Sequence, residues 1–274
     1  MDKNEEISKY AKLQYSSSTN LEKRQNLWTL GDNKVQLGTW IFHHLNLQEG
    51  EHVLELGCGK GMMWCENKDF LPNSIALTLT DFSLGMVSET QKNVDKVGIS
   101  AEIYQMDAQN LVIPDNSMDL VVGCHMLYHV PNIPKSLSEI QRVLKPHGRF
   151  ISTTTSVSHI QEIRDLLLQF DLDVTLKTKY FSPYHCEDAP GFLTPVFPLV
   201  EYFEYNNNIV LKDSVVLLPY IDSMFPLEKY PKYPEIRPQI VSKLAEIFQE
   251  QGKFHVTGKI GLFIAFKSDS VICK

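Results

Sequence analysis

Short apolar runs separated by helical patterns dominate the first part of the chain. Five runs of four to six residues have the mainly apolar and β-branched character of buried parallel strands, and they lie at 53–56, 75–80, 101–106, 120–124 and 150–155. Between these runs, apolar residues recur every three or four positions, which is typical of helices with one buried face. The alternation predicts consecutive βα units, and therefore an α/β fold with an open parallel sheet.

The pattern changes after residue 155, where prolines and aromatic rings interleave and oppose a regular sheet. We interpret residues 156–235 as a helical and aromatic cap, inserted after the fifth strand, with one returning strand near Tyr205 to Leu211. Any single ring is explained by core packing. The set of rings predicts a largely apolar substrate chamber, because ligand pockets are mostly apolar with a few polar groups.

The segment 236–274 again shows regular patterns. A helix is predicted near Ile236 to Glu250, and a strand over Lys259 to Phe266 follows it. These two elements predict that the end of the chain returns to the core and completes its sheet.

Composition and charge restrict the class of protein. The chain has 274 residues, of which 43% are hydrophobic and 22% are charged, as in ordinary globular proteins. Its net charge of −7 gives no global positive field, so we expect no nucleic-acid partner and a small-molecule substrate instead. The five cysteines have no paired spacing, which argues against a metal site and a disulfide framework. The absence of a signal pattern or a membrane-length apolar run predicts a cytoplasmic protein.

A glycine turn directly follows the first predicted strand. It has the spacing Gly57-x-Gly59-x-Gly61, with Glu55 two positions before it, whereas a dinucleotide fingerprint has its third glycine one residue later. A carboxylate at this place suits a ligand that carries an ammonium group, while the N–H groups of the turn suit a carboxylate. S-adenosylmethionine has both groups. A turn without any ligand is the alternative at this point.

At this turn the chain resembles the class I S-adenosylmethionine-dependent methyltransferases, in whose first motif Glu55, Gly57, Gly59 and Gly61 have counterparts. Cys58 lies inside the same motif, so the resemblance also places it in the cofactor cradle. Because small residues are wanted at this position, packing explains the thiol better than catalysis does.

Acidic residues also follow the second and third predicted strands. Asp81 stands twenty residues beyond Gly61, where such folds place an acid on the ribose hydroxyls, although a helix cap is an alternative role. Phe82 would face the ligand from the same loop, and Met86 from the helix that follows. The resemblance further implies that Asp107 accepts a hydrogen bond from the adenine amino group and that the backbone N–H of Ala108 meets a ring nitrogen.

A third motif follows the fourth predicted strand. The segment from Asp119 through His125 and His129 to Pro131 is similar to that of the broad methyltransferase family that includes the ubiquinone-biosynthesis type. We place His125 in the cofactor site and take His129 as the candidate general base, since imidazole titrates near physiological pH. Both rings have an alternative role as hydrogen-bonded supports of their loop.

The resemblance covers residues 35–155 and has implications for the whole fold. It implies a doubly wound, Rossmann-like, mostly parallel seven-stranded sheet whose last strand is antiparallel, with S-adenosylmethionine as cofactor and S-adenosylhomocysteine as product. It also implies that residues 1–34, which are polar and include Trp28, form a lid over the cofactor. The alternative for Trp28 is packing on the first helix.

We therefore expect an S-adenosylmethionine-dependent methyltransferase that acts on a small-molecule acceptor by in-line displacement, without a metal ion. Two alternatives come from other classes of protein. A non-catalytic module would bind S-adenosylmethionine and present its aromatic cap to a partner. An NAD-dependent oxidoreductase would share the doubly wound sheet, but the glycine spacing and Glu55 disfavour it. The sequence leaves the methylated atom and the oligomeric state open.

Overall fold

The computed structural model describes residues 19–172, 183–225 and 230–268, with side chains from residue 23 onward. Residues 1–18 of the predicted lid lie outside the described residues, as do residues 173–182 and 226–229 of the predicted cap.

Within the described residues, seven strands form one sheet in the order β3-β2-β1-β4-β5-β9-β6, and β7 pairs with β8 separately. All neighbours in the large sheet are parallel except β9, which runs antiparallel to both β5 and β6. The sheet is therefore the predicted one, including its antiparallel last strand. The strands are β1 His52–Leu56, β2 Ala76–Asp81, β3 Glu102–Gln105, β4 Met118–Cys124, β5 Leu144–Thr155, β6 Leu199–Asn206, β7 Ile209–Leu211, β8 Phe254–Val256 and β9 Lys259–Phe266.

Helices cover both faces of the sheet because successive strand residues point to opposite sides. Leu54 and Phe150 pack with the helix at Ile133–Val143 on one face, whereas Val53 and Val122 pack with the helix at Leu37–Leu45 on the other. The helices are α1 Thr19–Trp28, α2 Leu37–Leu45, α3 Met62–Glu66, α4 Leu84–Val97, α5 Ile133–Val143, α6 Gln161–Leu168, α7 Ala189–Leu193, α8 Leu217–Asp222 and α9 Tyr233–Gln251, with 3₁₀ turns at Lys68–Phe70 and Leu127–His129.

The cap has a hydrophobic core of its own. Side chains from α1, α6, α8 and α9 meet there with side chains from β7 and β8. The prediction of a single returning strand near Tyr205 to Leu211 was wrong. Strand β6 begins earlier, at Leu199, and joins the main sheet, whereas β7 pairs with β8 in the cap. The sequence of β6 lacks the apolar pattern of a buried strand. An edge strand has a partner on one side only, so much of its length is exposed to solvent.

The strand order reverses direction between β1 and β4, which makes this edge the topological switch point of the sheet. Ligands of open α/β sheets bind outside the carboxyl ends of the strands at such a point. The glycine turn leaves β1 here, and the loop that begins at His125 leaves β4 beside it. A Cβ atom added to Gly57 would lie 2.9 Å from the Cβ of Met126, so the two loops are in direct contact.

An ion pair joins this core across a large sequence separation. The Arg149 guanidinium lies 2.6 Å from a Glu51 carboxylate oxygen and donates to the Leu45 carbonyl at the end of α2. Because both charged side chains are mostly buried, we predict that Arg149→Gln lowers the free energy of unfolding by about 2–3 kcal/mol. As a control, Lys243→Gln breaks an exposed ion pair with Glu246. This variant should change the free energy of unfolding by less than about 0.5 kcal/mol. Urea denaturation measures both, and equal losses would contradict the prediction.

The close approach at Gly57 leads to a second stability prediction. Gly57 has a φ of 72°, and Gly98 has a similar φ of 74°, with no atom of the described part of the chain within 4 Å of an added Cβ. Gly98→Ala should cost about 1–2 kcal/mol for the left-handed backbone. Gly57→Ala should cost about 1–3 kcal/mol more, because its methyl group also meets Met126. Thermal unfolding compares the variants, and a Gly57→Ala variant as stable as Gly98→Ala would contradict the contact.

Candidate functional site

The backbone of the glycine turn is supported on one side by α4. Among the described residues, no atom lies within 4 Å of a Cβ added at Gly59, so these residues leave room for a ligand beside its backbone. From α4, the Thr90 hydroxyl donates to the Gly59 carbonyl at 2.7 Å, and the Asn93 amide donates to the Lys60 carbonyl at 2.9 Å. Neither of these two hydrogen bonds was predicted from the sequence. Thr90 could have been identified as a buried polar residue, because it lies on the buried face of α4, four residues from both Met86 and Val94.

Asp81 links the glycine turn to α4. One oxygen of its carboxylate accepts a hydrogen bond from the Gly59 N–H at 3.0 Å, and the other accepts from the Ser83 N–H at 2.8 Å. Ser83 occupies the N-cap position of α4. Burial raises the pKa of Asp81, and the backbone donors oppose that rise. The carboxylate therefore joins the glycine turn to the start of α4, and the ribose contact expected for it stays a prediction.

Glu55 lies in the floor of the site, near the end of β1. It is 4% exposed, and its carboxylate accepts a hydrogen bond from the Trp64 indole N–H at 2.5 Å. Burial raises the pKa of Glu55 to about 7; the indole bond lowers it and the negative charge of Asp81 raises it further. A cation bound nearby would favour the ionised form. Trp64, which the sequence analysis did not assign to the site, fixes the orientation of this carboxylate.

The other predicted cofactor residues surround this corner. The Asp107 carboxylate follows β3 and accepts a hydrogen bond from the Gln109 N–H at 2.9 Å, while Ala108 is buried in the core beside it. Phe82 is half-buried in the loop after β2, and Met86 is 2% exposed on the inner side of α4. Burial and the nearby charge of Glu55 raise the pKa of Cys58 well above its ordinary value, which keeps the thiol neutral and a poor nucleophile.

The predicted histidines lie on the loop that contacts the glycine turn. The His125 N–H donates to the Thr153 carbonyl at 3.1 Å, which ties this loop to β5. Its Nε2 atom is buried without a hydrogen-bond partner among the described residues. Burial lowers the pKa of His125 to about 4, and burial with the charges of Arg24 and His125 lowers the pKa of His129 to about 3. Both rings are therefore neutral and weakly basic at pH 7.

A third imidazole, which the sequence analysis missed, stands next to them. His159 follows β5, and its ring stacks on Trp28 of α1 with 4.7 Å between ring centroids. Its Nδ1 atom accepts a hydrogen bond from the Lys259 N–H at 3.1 Å, and burial lowers its pKa to about 3. We call His125, His129 and His159 the histidine cluster. No local pattern links His159 to the other two, because the fold of β5 and the cap creates their proximity.

Helix α1 is fixed over the histidine cluster. The Arg24 side chain donates to the Ser223 hydroxyl at 3.2 Å and to its carbonyl at 3.0 Å, just beyond the end of α8. Trp28 also meets Tyr220 of α8 edge-on, with ring centroids 6.2 Å apart. Trp28 thus packs on α8 and not, as its alternative role had it, on the first helix of the core, and its place in a lid over the cofactor stays a prediction.

Within the described ranges, no group of three or more His, Cys, Asp or Glu side chains is arranged to hold a metal ion. None of the helices in these ranges has the length and apolar character needed to cross a membrane.

Comparison with known proteins connects this geometry to a family. Residues 54–152 match a family described as a methyltransferase domain. An uncharacterised protein of Methanocaldococcus jannaschii is 30% identical over 74% of this chain and 75% of its own length. The sterol 4-C-methyltransferase of Caenorhabditis elegans is 31% identical over 55% of this chain, but the match covers 42% of that enzyme. Several curated relatives, among them this enzyme, are longer than the matched region, which spans less than two thirds of their length.

The fold has similar counterparts among solved structures. A putative methyltransferase from Bacillus halodurans has a TM-score of 0.61 at 19% identity, with 84% of this chain and 98% of that chain covered. The domain match, the motifs at the switch point and the seven-stranded sheet with its antiparallel strand all agree. This chain belongs to the family of class I methyltransferases that use S-adenosylmethionine as cofactor.

Proposed function

We propose that the protein transfers the methyl group of S-adenosylmethionine to a small-molecule acceptor by in-line displacement at the carboxyl ends of β1 and β4. The observation that carries this proposal is the Asp81 carboxylate, held beside the open glycine turn by bonds from Gly59 and Ser83. An ionised carboxylate has about four acceptor positions. The backbone N–H groups of Gly59, Ser83 and Phe82 act on this carboxylate, and its remaining acceptor capacity suits a ribose hydroxyl.

The other cofactor contacts follow from the same placement. Glu55 would compensate the ammonium group of the cofactor, and the turn from Gly57 through Cys58 and Gly59 to Gly61 would receive its carboxylate. Asp107 and Ala108 would bind the adenine, with Phe82 and Met86 bordering it. His125 would lie at the methyl-donor side, because its neighbour Met126 packs on the glycine turn.

Methyl transfer from a sulfonium needs few catalytic side chains. The acceptor atom attacks the methyl carbon, the carbon–sulfur bond breaks, and the electron pair stays on sulfur. Holding the two partners in line supplies most of the rate, since positioning is worth roughly 7–11 kcal/mol. We propose that His129 contacts the acceptor and orients it by a hydrogen bond, because a ring with a pKa of about 3 removes a proton poorly at neutral pH.

The two alternative classes of protein are separated by different observations. A nicotinamide oxidoreductase is disfavoured by the methyltransferase domain match. A non-catalytic module that binds S-adenosylmethionine differs from an enzyme only in turnover, so a turnover measurement separates the two.

Calorimetric titration with S-adenosylhomocysteine tests the cofactor site. We expect binding by the native chain and an affinity about 10- to 100-fold lower for Asp81→Asn, because a charged hydrogen-bond acceptor is lost. Asp69→Asn, a change at an exposed position outside the site, should bind as the native chain does. Formation of S-adenosylhomocysteine from S-adenosylmethionine with a pool of small metabolites then tests turnover. Tight binding without turnover across such pools would favour the module, and absence of binding would refute the proposal.

The raised pKa of Glu55 predicts how cofactor affinity depends on pH. Only the ionised carboxylate attracts an ammonium group, and its fraction falls about tenfold for each pH unit below 7. The affinity for S-adenosylhomocysteine should therefore decrease as the pH falls from 7 to 5.5, and Glu55→Gln should bind weakly with little pH dependence. Calorimetry across this range measures both proteins. An affinity that is constant with pH in the native chain would contradict the role of Glu55.

A further inference from the structure

Trp64 connects the short helix α3 to the carboxylate of Glu55. Its side chain is 0% exposed, and its indole N–H donates to Oε2 of Glu55 at 2.5 Å. The ring also meets Phe42 of α2 edge-on, with 6.1 Å between the ring centroids. It belongs to the same core cluster as Val53 and Val122 of the sheet. Packing on both sides therefore fixes the direction of the indole N–H.

The register of the strands shows which groups stand beside Glu55 on the sheet. Glu55 is paired with Leu79 on β2 and with Val122 on β4. Because side chains alternate along a strand, Asp81 and Cys124, each two residues further on, point to the same face as Glu55. The neighbours of Glu55 on these two strands are therefore a second acid and a thiol.

The other elements around this carboxylate add no positive charge to it. The thiol of Cys58 in the glycine turn is neutral, because burial and the charge of Glu55 raise its pKa. Within the described residues, the charge that acts on Glu55 is the negative one of Asp81, and the Trp64 indole is the one side-chain donor to its carboxylate. The charged and titratable side chains of α2, α3 and α4 lie at exposed or half-buried positions, and they are His43, His44, Cys65, Glu66, Glu89, Lys92, Asp95 and Lys96.

The indole hydrogen bond has two consequences for this carboxylate. It favours the ionised form over the neutral one, because an N–H group that donates to a buried negative charge stabilises that charge. It also holds Oε2 of Glu55 towards α3, and thereby turns Oε1 away from that helix. A cationic ligand therefore meets a carboxylate whose charge and orientation both depend on Trp64.

Resting on the proposed function, we propose that Trp64 is a positioning residue for the ammonium group of the cofactor: its indole N–H keeps the Glu55 carboxylate ionised and oriented, and the carboxylate binds the ammonium. Trp64 is fully buried and acts through Glu55. Because burial raises the pKa of Glu55 to about 7, part of its carboxyl groups are protonated at pH 7. The arriving ammonium group releases these protons to the solvent. The indole bond reduces the number that must leave.

Calorimetric titration with S-adenosylhomocysteine tests the effect of the indole donor. Trp64→Phe keeps an aromatic ring beside Phe42 but has no N–H group. Its affinity at pH 7 should be about 10-fold lower than that of the native chain, because a hydrogen bond to a charged group is lost. The loss should become smaller towards pH 8.5, where Glu55 ionises without the indole. As a control, Trp40→Phe makes the same change on α2, where the ring packs on Tyr205, and should bind as the native chain does.

The Glu55→Gln background separates an effect through Glu55 from an effect of packing. Because glutamine does not ionise, adding Trp64→Phe to Glu55→Gln should change the affinity by less than about 2-fold at every pH from 5.5 to 8.5. A loss of similar size in both backgrounds overturns the proposal. Native affinity in Trp64→Phe at pH 7 overturns it as well.

A fluorescence titration leaves Trp64 in place and decides the matter even where Trp64→Phe does not fold. The chain has three tryptophans, so Trp28→Phe together with Trp40→Phe leaves Trp64 as the one that emits. Because its N–H is bonded to Glu55, its emission should change with pH at a midpoint near 7. Bound S-adenosylhomocysteine should lower this midpoint by about one pH unit or more. Emission that is constant from pH 5.5 to 8.5, or a midpoint that the bound ligand does not move, overturns the proposal.

Binding by the native chain separates this proposal from the proposed function. If the native chain binds S-adenosylhomocysteine but the Trp64 variants and the emission show no link to Glu55, the role of Trp64 fails and the proposed function stands. If the native chain does not bind S-adenosylhomocysteine, both proposals fail.

Discussion

The geometry of the proposed cofactor site depends on the hydrogen bonds that the Asp81 carboxylate accepts from the Gly59 and Ser83 backbones. They join the turn after β1 to the first turn of α4, and the parallel register of Leu56 with Thr80 places these elements side by side. The carboxylates of Asp81 and Glu55 are both largely buried, and the pKa of each is raised. A cationic sulfonium ligand would relieve this repulsion, so the same burial that destabilises the two acids favours the cofactor.

The cofactor side of the proposed site contains the carboxylates of Glu55 and Asp81. Methyl transfer turns a sulfonium cation into a neutral thioether, so the attraction between the cofactor side and its ligand weakens once the reaction has occurred. The arrangement therefore favours binding of the methyl donor over retention of its product.

The parts of the molecule that the sequence predicted are those encoded locally. The strands, the glycine turn and the acids at strand ends follow from apolar runs and short spacings, and the structure has them within a few residues of their predicted places. The bond of Arg24 to Ser223 spans 199 positions, and Trp64 reaches Glu55 only because α3 folds back on β1. Such contacts leave no periodic signal, and neither does the proximity of His159 to His125. The edge strand β6 was misplaced for a related reason, since its exposed residues lack the pattern of a buried strand.

The attachment of α1 limits how it can act as a lid. Leu27 is 0% exposed in the core of the cap, and Arg24 is bonded to Ser223 next to it. Lifting α1 would expose a leucine side chain, at a cost of about 1.5–3 kcal/mol, and would break these hydrogen bonds at about 1 kcal/mol or more each. The open form is then a minor state of roughly 1% or less. An acceptor that enters under α1 must therefore wait for a rare opening, in which the bonds of Arg24 to Ser223 are broken.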